Sequence, residues 1–568
     1  MHKSRLAGSA VCLLLLIVAL WHTGQLFWIC DDAFISLRYA QNLVRGEGLV
    51  FNVGERVEGY TNFSWTLLAA LGMTLGFDAV IWVQVLGAAC YAATLLVLSV
   101  GTRELRGAHG PAPWLPIAAL GLAAHEHAKS FASCGLETAL FALLGTAQLV
   151  ALVHATRPRA FAGAGLLGIL ATMTRPDGAL FYVAGGGLAL LGARRSRSWS
   201  VLLAYAAPFV LLYLPYFAWK WTYYGDPLPN TFYAKSGGAG WIEQGLLYLR
   251  LYFASYYVLL PALLGIPILL WARRGASLAP GWNSGRAPLL LALFGVPYLA
   301  FVVWVGGDFM FARFLIPITP VLYLALELFA RAMLPARGVL IAAALIALGS
   351  ALPYRHAGLT ATGADGAYGI SGIGEERAVY TAEIVERRKL AALRLRELCA
   401  GVETRVLIVG SQAILAYYGE FDLAIEGASG LTDRYLARRP LATRGRVGHE
   451  KGIFQDPADG MRYLRERGVQ FRVLQVTPPT TPPQLQHVDF DRGRLELITY
   501  SRELMGVLKS RGNVRCVDLE VQLDRLIAEL GSRSREEIRA QYEQLRGYYF
   551  DHNDDPRRER AFLDHLHD

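Results

Sequence analysis

At 568 residues the chain exceeds one ordinary domain, and 54% hydrophobic against 18% charged residues, with a mean hydropathy of +0.32, excludes a soluble protein of that size. The net charge of +9 does not point to nucleic acid, because much of the Lys and Arg lies in short loops between apolar runs, where membrane orientation explains it. Six cysteines form no CxxC pair and no Cys/His spacing of a structural zinc site.

Apolar runs of about 17 to 25 residues, the length that crosses a hydrocarbon core, recur from Leu6 to Leu352 and then stop. The expectation is an α-helical polytopic membrane module over residues 1–352, followed by a C-terminal α/β domain over 353–568. The first run, Leu6 to Phe27, is too long for a signal peptide and no A-x-A site follows it, so it reads as a retained span. With Lys3 and Arg5 inside, the basic clusters Arg103/Arg106, Arg157/Arg159, Arg194/Arg195/Arg197, Arg273/Arg274 and Arg331/Arg337 fall at every second loop if the chain crosses about eleven times. The count requires that Trp65 to Leu75 lie along the membrane without crossing. The C-terminal domain then emerges on the outer side, together with Cys30, Cys134, Cys399 and Cys516, which are either disulfide-bonded there or buried as free thiols.

Directly after the first span, Asp31-Asp32 opens a segment in which Phe34, Leu37, Gln41 and Val44 repeat at helical spacing and Gly46 can end the helix. This predicts an amphipathic helix lying on the membrane with two carboxylates at its start. Acidic residues there favour the helix dipole. A second carboxylate adds little to a cap, however, and a carboxylate at a membrane boundary can act as a general base or hold a divalent cation. Capping and function both remain open on residue types alone.

Further along, Arg175-Pro176-Asp177 interrupts an apolar stretch from Phe161 to Leu191, and the proline breaks the helix. Arg175 is either an interfacial anchor or a phosphate ligand, since its planar fork matches phosphate oxygens. Lys235 and Arg313 are candidates for the same role. Glu137 begins a span, where an acid caps favourably. Asp226 and Asp308 sit in Gly-Asp-Pro and Gly-Gly-Asp turns. His125-Glu126-His127 lacks the i, i+4 spacing of a metal site and reads as an interfacial loop.

Beyond residue 353 the pattern alternates: a charged helix Glu383 to Leu398, a strand Arg405 to Val409, a helix Ser411 to Tyr418, a helix Ala458 to Arg467 and a strand Val469 to Val476. Val409-Gly410-Ser411 lacks the spacing of a nucleotide-binding glycine loop, which suits a lipid-linked rather than a nucleotide-linked donor. Pro478 to Pro483 reads as a connector. Gly448-His449-Glu450-Lys451 is either an exposed turn or an edge that closes over a sugar.

The stretch Asp31 to Trp65, followed in order by Ser133-Cys134-Gly135-Leu136-Glu137-Thr138, Thr174 to Gly178, Tyr224-Gly225-Asp226 to Thr231, Tyr233-Ala234-Lys235, Gly307-Asp308-Phe309, Arg313-Phe314, Gly430-Leu431-Thr432-Asp433 and Gly448 to Lys451, resembles the GT-C family of terminal β-(1→2)-arabinofuranosyltransferases known from mycobacteria. The resemblance implies a multi-pass protein of a bacterial inner membrane, with active site and C-terminal domain extracytoplasmic. It would move a sugar from a polyprenyl-phosphate donor to an envelope glycan or glycolipid. Asp31 or Asp32 would take the acceptor proton, with a divalent cation (Mg or Mn) as an optional bridge. Arg175, Lys235 and Arg313 would meet the phosphate, and Arg38, Glu58, Glu137, Asp177, Asp226, Asn230, Asp308, His449 and Glu450 would bind acceptor or support the site. The other function class is a transporter or flippase of lipid-linked saccharides, which would need charge near mid-membrane and often an internal repeat.

Overall fold

Long apolar segments without a polar face can only be helical and surrounded by lipid or by other helices, and the first two-thirds of the chain consists of them. The computed structural model describes residues 2–106, 112–236, 240–272, 286–360, 368–409, 413–441, 444–475 and 479–567. In order come α1 (His2–Gln25), α2 (Asp31–Val44), α3 (Phe63–Thr74), α4 (Ala79–Leu96), α5 (Ile117–Ala124), α6 (Glu126–Ala132), α7 (Thr138–His154), α8 (Pro158–Thr174) and α9 (Gly178–Ser196). There follow α10 (Ser200–Pro208), α11 (Leu214–Tyr224), α12 (Asn230–Ser236), α13 (Ile242–Ser255), α14 (Leu260–Ala272), α15 (Arg286–Val305), α16 (Thr319–Met333) and α17 (Ala336–Ala351).

Among the described residues, four helical stretches are long and apolar enough to cross a membrane: Gly8–Gln25, Ala79–Gly101, Ser200–Tyr224 and Arg286–Val305. A fifth would be α13 and α14 taken together, bent by 98° at their junction. The expected count of about eleven crossings therefore exceeds what helix length and composition carry by themselves. Shorter apolar helices such as α7 and α17 would have to make up the difference.

The helices nevertheless have two chemically distinct ends. At one, the His154 ring meets the Gly101 carbonyl, Arg286 donates to Ala155 and Arg331 donates to Leu115. At the other lie the end of α1, the starts of α2, α7 and α9, and the loop between α15 and α16. The basic loops expected on one side thus share an end where described. Arg273 and Arg274 lie outside the described residues, as do Gly410, Ser411 and Pro478.

Among the described residues, six strands fall between residues 405 and 516: β1 (Arg405–Ile408), β2 (Leu423–Glu426), β3 (Phe471–Gln475), β4 (His487–Phe490), β5 (Gly493–Leu497) and β6 (Arg515–Cys516). They form one sheet in the order β2-β1-β3-β5-β4-β6. β1 is parallel to β2 and β3, with Val406 opposite Ala424 and Phe471, and the remaining pairs are antiparallel. The accompanying helices are α18 (Glu376–Val379), α19 (Ala382–Leu398), α20 (Ala413–Gly419), α21 (Arg434–Arg438), α22 (Pro457–Glu466), α23 (Arg502–Arg511), α24 (Leu519–Glu529), α25 (Arg535–Tyr548) and α26 (Pro556–His567).

Two sequence expectations are corrected here, and the open choice for the cysteines is decided. α2 does not lie on a membrane surface: Ser36, Arg38 and Asn42 are buried, Ser36 against Asn62, Asn42 against the carbonyls of Val50 and Phe51, and Arg38 against α20 of the C-terminal part. The Asp31 carboxylate accepts the N–H groups of Ala413 (3.1 Å) and Ile414 (3.1 Å) at the start of α20. Seven residues on, Arg38 donates to the carbonyls of Ala416 and Phe421 (2.6 Å). His125 and His127 are not in an exposed loop. They flank the start of α6 and are buried, bonded to Tyr252 and to Tyr256 and Glu375. All six cysteines are free thiols, so the disulfide alternative falls. The segment after α17 folds back onto the loop between α15 and α16, where Gly374 and Phe309 to Phe311 exchange backbone bonds of 2.9 Å.

Arg38→Met keeps the apolar stem but removes the donor from three carbonyls, those of Phe51, Ala416 and Phe421, at a cost of roughly 3 kcal/mol. Thermal unfolding in detergent should show a clearly lowered midpoint. An unchanged midpoint would remove Arg38 from the tie between α2 and the C-terminal part.

Candidate active site

Two charged clusters meet where the start of α2 faces the C-terminal part. The first is buried. Arg175, released from helix at the break between α8 and α9, bonds Asp177 (3.0 Å) and Glu137 (3.1 Å), while its guanidinium lies over Phe314. Tyr298 donates to Asp177 at 3.1 Å. Arg313 reaches Glu137 and Asp308 at 3.4 Å each and stands 3.9 Å from Asp32. Glu137 also accepts from Asn62 at 2.9 Å, so it anchors two guanidinium groups rather than capping α7. A carboxylate in such company is held below its usual range even though burial opposes ionisation.

The two arginines differ in what they leave open. Every nitrogen of Arg175 has a carboxylate partner, so its charge is already answered from both sides. Arg313 keeps its Nε–H without a hydrogen-bond partner among the described residues. It follows Ala312, a non-glycine residue at φ 67°, a conformation that costs an L-residue energy and persists only when its surroundings impose it. Gly306 and Gly307 upstream, at φ 88° and 73°, supply the turn that brings Asp308 back towards Arg313.

The second cluster lines a small cavity of about 40 Å³, whose walls include Asp32, Lys235, Phe309, Glu426, Ser429 and His449. Asp31 is also in its wall, but both its oxygens are taken by the amides of α20. The Asp32 side chain is 29% exposed. Lys235, from α12, runs its stem against Gly448, and among the described residues its ammonium has no ion-pair partner. His449 packs edge-on against Phe309 at 4.8 Å, and burial beside Arg446 and Lys235 pushes it down to about 4, leaving a neutral imidazole at pH 7.

Other predicted residues hold the frame. Arg38 joins α2 to α20. Glu58 forms a buried ion pair with Lys220 at 2.9 Å, and burial pushes it up to about 7. Asp226 pairs with Arg434 (3.3 Å) and Arg438 (2.8 Å). The Asn230 amide donates to the carbonyls of Gly430, Leu431 and Asp433 within 3.1 Å and so shapes that loop. Glu450 is buried and pairs with Arg444 at 3.2 Å.

Three residues escaped the sequence reading. Glu426 ends β2 in the cavity wall and accepts the N–H groups of Ala428, Ser429 and Leu431. Its only sequence signal is an acid ending the apolar run Leu423–Glu426 before Gly427. Arg446 lies over the Phe309 ring at 4.3 Å and pairs with Glu376 at 3.0 Å. Burial lifts Glu376 to about 7, with Asp32 and Asp308 adding to the effect. Nothing local distinguishes Arg446 or Glu376 from surface charges.

For Mg or Mn the donor set is poor. Among the described residues no three His, Cys, Asp or Glu side chains converge as a cage, and the oxygens of Asp31 are engaged.

No family model matches the chain. The terminal β-(1→2)-arabinofuranosyltransferase of Mycobacterium tuberculosis is 34% identical over 332 residues, which covers 52% of this chain and 51% of the relative. The protein of the same name from Corynebacterium glutamicum is 28% identical over 341 residues, 53% of this chain and 48% of its own. The chain is thus similar to named arabinofuranosyltransferases. It spans about half the length of the curated relatives it matches. The crystal structure of ArnT from Cupriavidus metallidurans bound to undecaprenyl phosphate superposes with a TM-score of 0.52 at 14% identity, covering 86% of this chain and 97% of that one. That likeness shows a shared fold, the GT-C membrane fold that the motif resemblance implies.

Burial lifts Asp31 to about 7 from an ordinary 3.8, even though two amides favour its ionised form. A folded value above the unfolded one means that its contribution to stability is full below pH ~4 and is lost as pH rises through about 7. Asn does not titrate, so the stability of wild type relative to Asp31→Asn should fall by roughly 2–3 kcal/mol between pH 5 and pH 8. Unfolding midpoints of the two proteins, compared across that range, would show parallel curves if Asp31 were ionised throughout.

Proposed function

We propose that the chain is an integral membrane glycosyltransferase that moves a sugar from a polyprenyl-phosphate donor to a cell-envelope glycan or glycolipid on the extracytoplasmic face. The observation that carries this reading is the pairing, in one cavity wall, of a partly exposed carboxylate, Asp32, with an unpaired ammonium, Lys235. Sugar transfer needs both. Asp32 accepts the proton of the acceptor hydroxyl as that oxygen attacks the anomeric carbon. The bond from the anomeric carbon to the phosphate oxygen breaks, and the charge left on the lipid phosphate is met by Lys235 and by the spare Nε–H of Arg313.

In this reading the acidic pair divides its work. Asp31 fixes the start of α2 against α20, and Asp32 performs the proton transfer. Arg175 positions Glu137 and hence Arg313, without touching the donor. Support also comes from the named relatives, which are terminal β-(1→2)-arabinofuranosyltransferases, and from the ArnT structure, which holds undecaprenyl phosphate. Among the described residues no three His, Cys, Asp or Glu side chains form a cage for a divalent cation, and the proton transfer to Asp32 does not require one.

Asp32→Asn should lower transfer by a factor of about 10² to 10⁴ at unchanged protein level, and Lys235→Ala should raise the KM for donor more than that for acceptor. Incorporation of radiolabelled sugar by purified protein reconstituted with a polyprenyl-phosphate sugar measures both. Full activity of Asp32→Asn would remove the carboxylate from the mechanism.

Sidedness is tested separately. A reporter active only outside the cytoplasm should give signal when fused after Asp568 and none when fused after Arg197. Signal from the Arg197 fusion with silence from the other would invert the membrane orientation and expose the site to soluble nucleotide sugars.

A further inference from the structure

Beside the active cavity, on the other side of the loop Glu426–Asp433, the first outer segment and the C-terminal part enclose a much larger groove of about 1190 Å³. Its floor is aromatic. Tyr463 from α22 stacks on Tyr435 from α21, with ring centroids 4.3 Å apart and planes at 20°, while Tyr435 stays 40% exposed. Both hydroxyls are oriented by acids: Tyr435 donates to Asp459 at 2.9 Å and Tyr463 to Asp433 at 2.7 Å. The walls carry five arginines, four of them already paired: Arg434 and Arg438 with Asp226, Arg439 with Asp459, and Arg467 with Glu55. Such a surface offers many fixed donors and acceptors next to an aromatic face, yet little uncompensated positive charge. An anion gains little there. A neutral polyhydroxylated chain gains both a ring to lie against and hydrogen bonds to its hydroxyls.

We propose that this groove is an accessory binding site for a neutral oligosaccharide, holding a stretch of glycan away from the reacting end. The proposal rests on the transferase reading above and adds a second, non-catalytic contact to it. The geometry connects the two sites directly. Leu431 and Ser429 wall the active cavity, Asp433 walls the groove, and the Asn230 amide holds the carbonyls of Gly430, Leu431 and Asp433 between them. A chain lying on Tyr435 is therefore one loop away from Asp32.

The test uses full-length protein in detergent, titrated with a linear arabinofuranose hexasaccharide and with maltohexaose as neutral probes, and with dextran sulfate as the anionic one. Calorimetry and saturation-transfer NMR read binding without requiring turnover. Saturable binding of either neutral probe is expected, weakened at least tenfold by Tyr435→Ala and retained by Tyr435→Phe, which keeps the ring and checks that the site folds. Asp32→Asn should bind the probe as wild type does. The proposal is overturned if neither neutral probe binds, if Tyr435→Ala binds unchanged, if dextran sulfate displaces the neutral probe, or if Asp32→Asn abolishes binding, which would place the probe in the active cavity. Transfer activity without oligosaccharide binding would sink the groove and leave the transferase reading standing. Binding without any transfer would support the groove and remove that reading.

Discussion

The site depends on one desolvated tie, in which α2 grips both ends of α20. An α-helix rises 1.5 Å per residue, so Asp31 and Arg38, seven residues apart, stand about 10.5 Å from each other along one face. α20 is itself seven residues long. The acid therefore meets the amides at its start and the guanidinium meets carbonyls at and beyond its end, each charge opposite in sign to the helix end it faces. Neither group could be buried alone without a penalty of several kcal/mol. Buried together against α20, they fix the C-terminal part over the first outer segment, and the cavity beside Asp32 follows from that placement.

The same logic sorts the basic residues. A guanidinium taken out of water must be answered by acceptors, and Arg175 meets a carboxylate oxygen at every nitrogen. Its charge stabilises Glu137, which in turn holds Arg313. Among the described residues of the site, Lys235 has no ion-pair partner and Arg313 keeps an unpartnered Nε–H. The interior network is negative on balance, with Glu137, Asp177, Asp308 and Asp32 against Arg175 and Arg313. A developing negative charge is thus drawn towards Lys235 and away from the buried acids.

Much of this was legible in the chain itself, and the boundary is physical. The break at Pro176, the helices beginning at Asp31 and near Glu383, and the strands at Arg405 and, two residues after the expected Val469, at Phe471 are local features, written in helix breakers, periodicity and β-branched runs. The pairing of Asp31 with residues 413 and 414 spans 382 and 383 positions, and no local pattern encodes it. Periodicity correctly marked Phe34 and Leu37 as one apolar face of α2. The polar residues of α2 were read as wetted because their partners, Asn62 for Ser36, the carbonyls of Val50 and Phe51 for Asn42, and α20 for Asp31 and Arg38, meet them only in the folded chain. Glu426, Arg446 and Glu376 were missed for the same reason. Asp32 could not be separated from Asp31 by sequence, since both are acids at a helix start and only their distant neighbours differ.

That span also governs when the site first exists during synthesis. Asp32 precedes α3 to α17 in the chain, whereas Glu426, Ser429 and His449, which enclose it, follow all of them and are made later. A chain halted before Ala413 would carry the carboxylate but no enclosure, and Asp31 would remain hydrated with no amide to meet. Water would reach the reacting centre freely in such a fragment. Synthesis of the segment that carries α20 and the loop after β2 is in this sense what encloses the carboxylate, and partial products stalled in the membrane carry an acid without that enclosure.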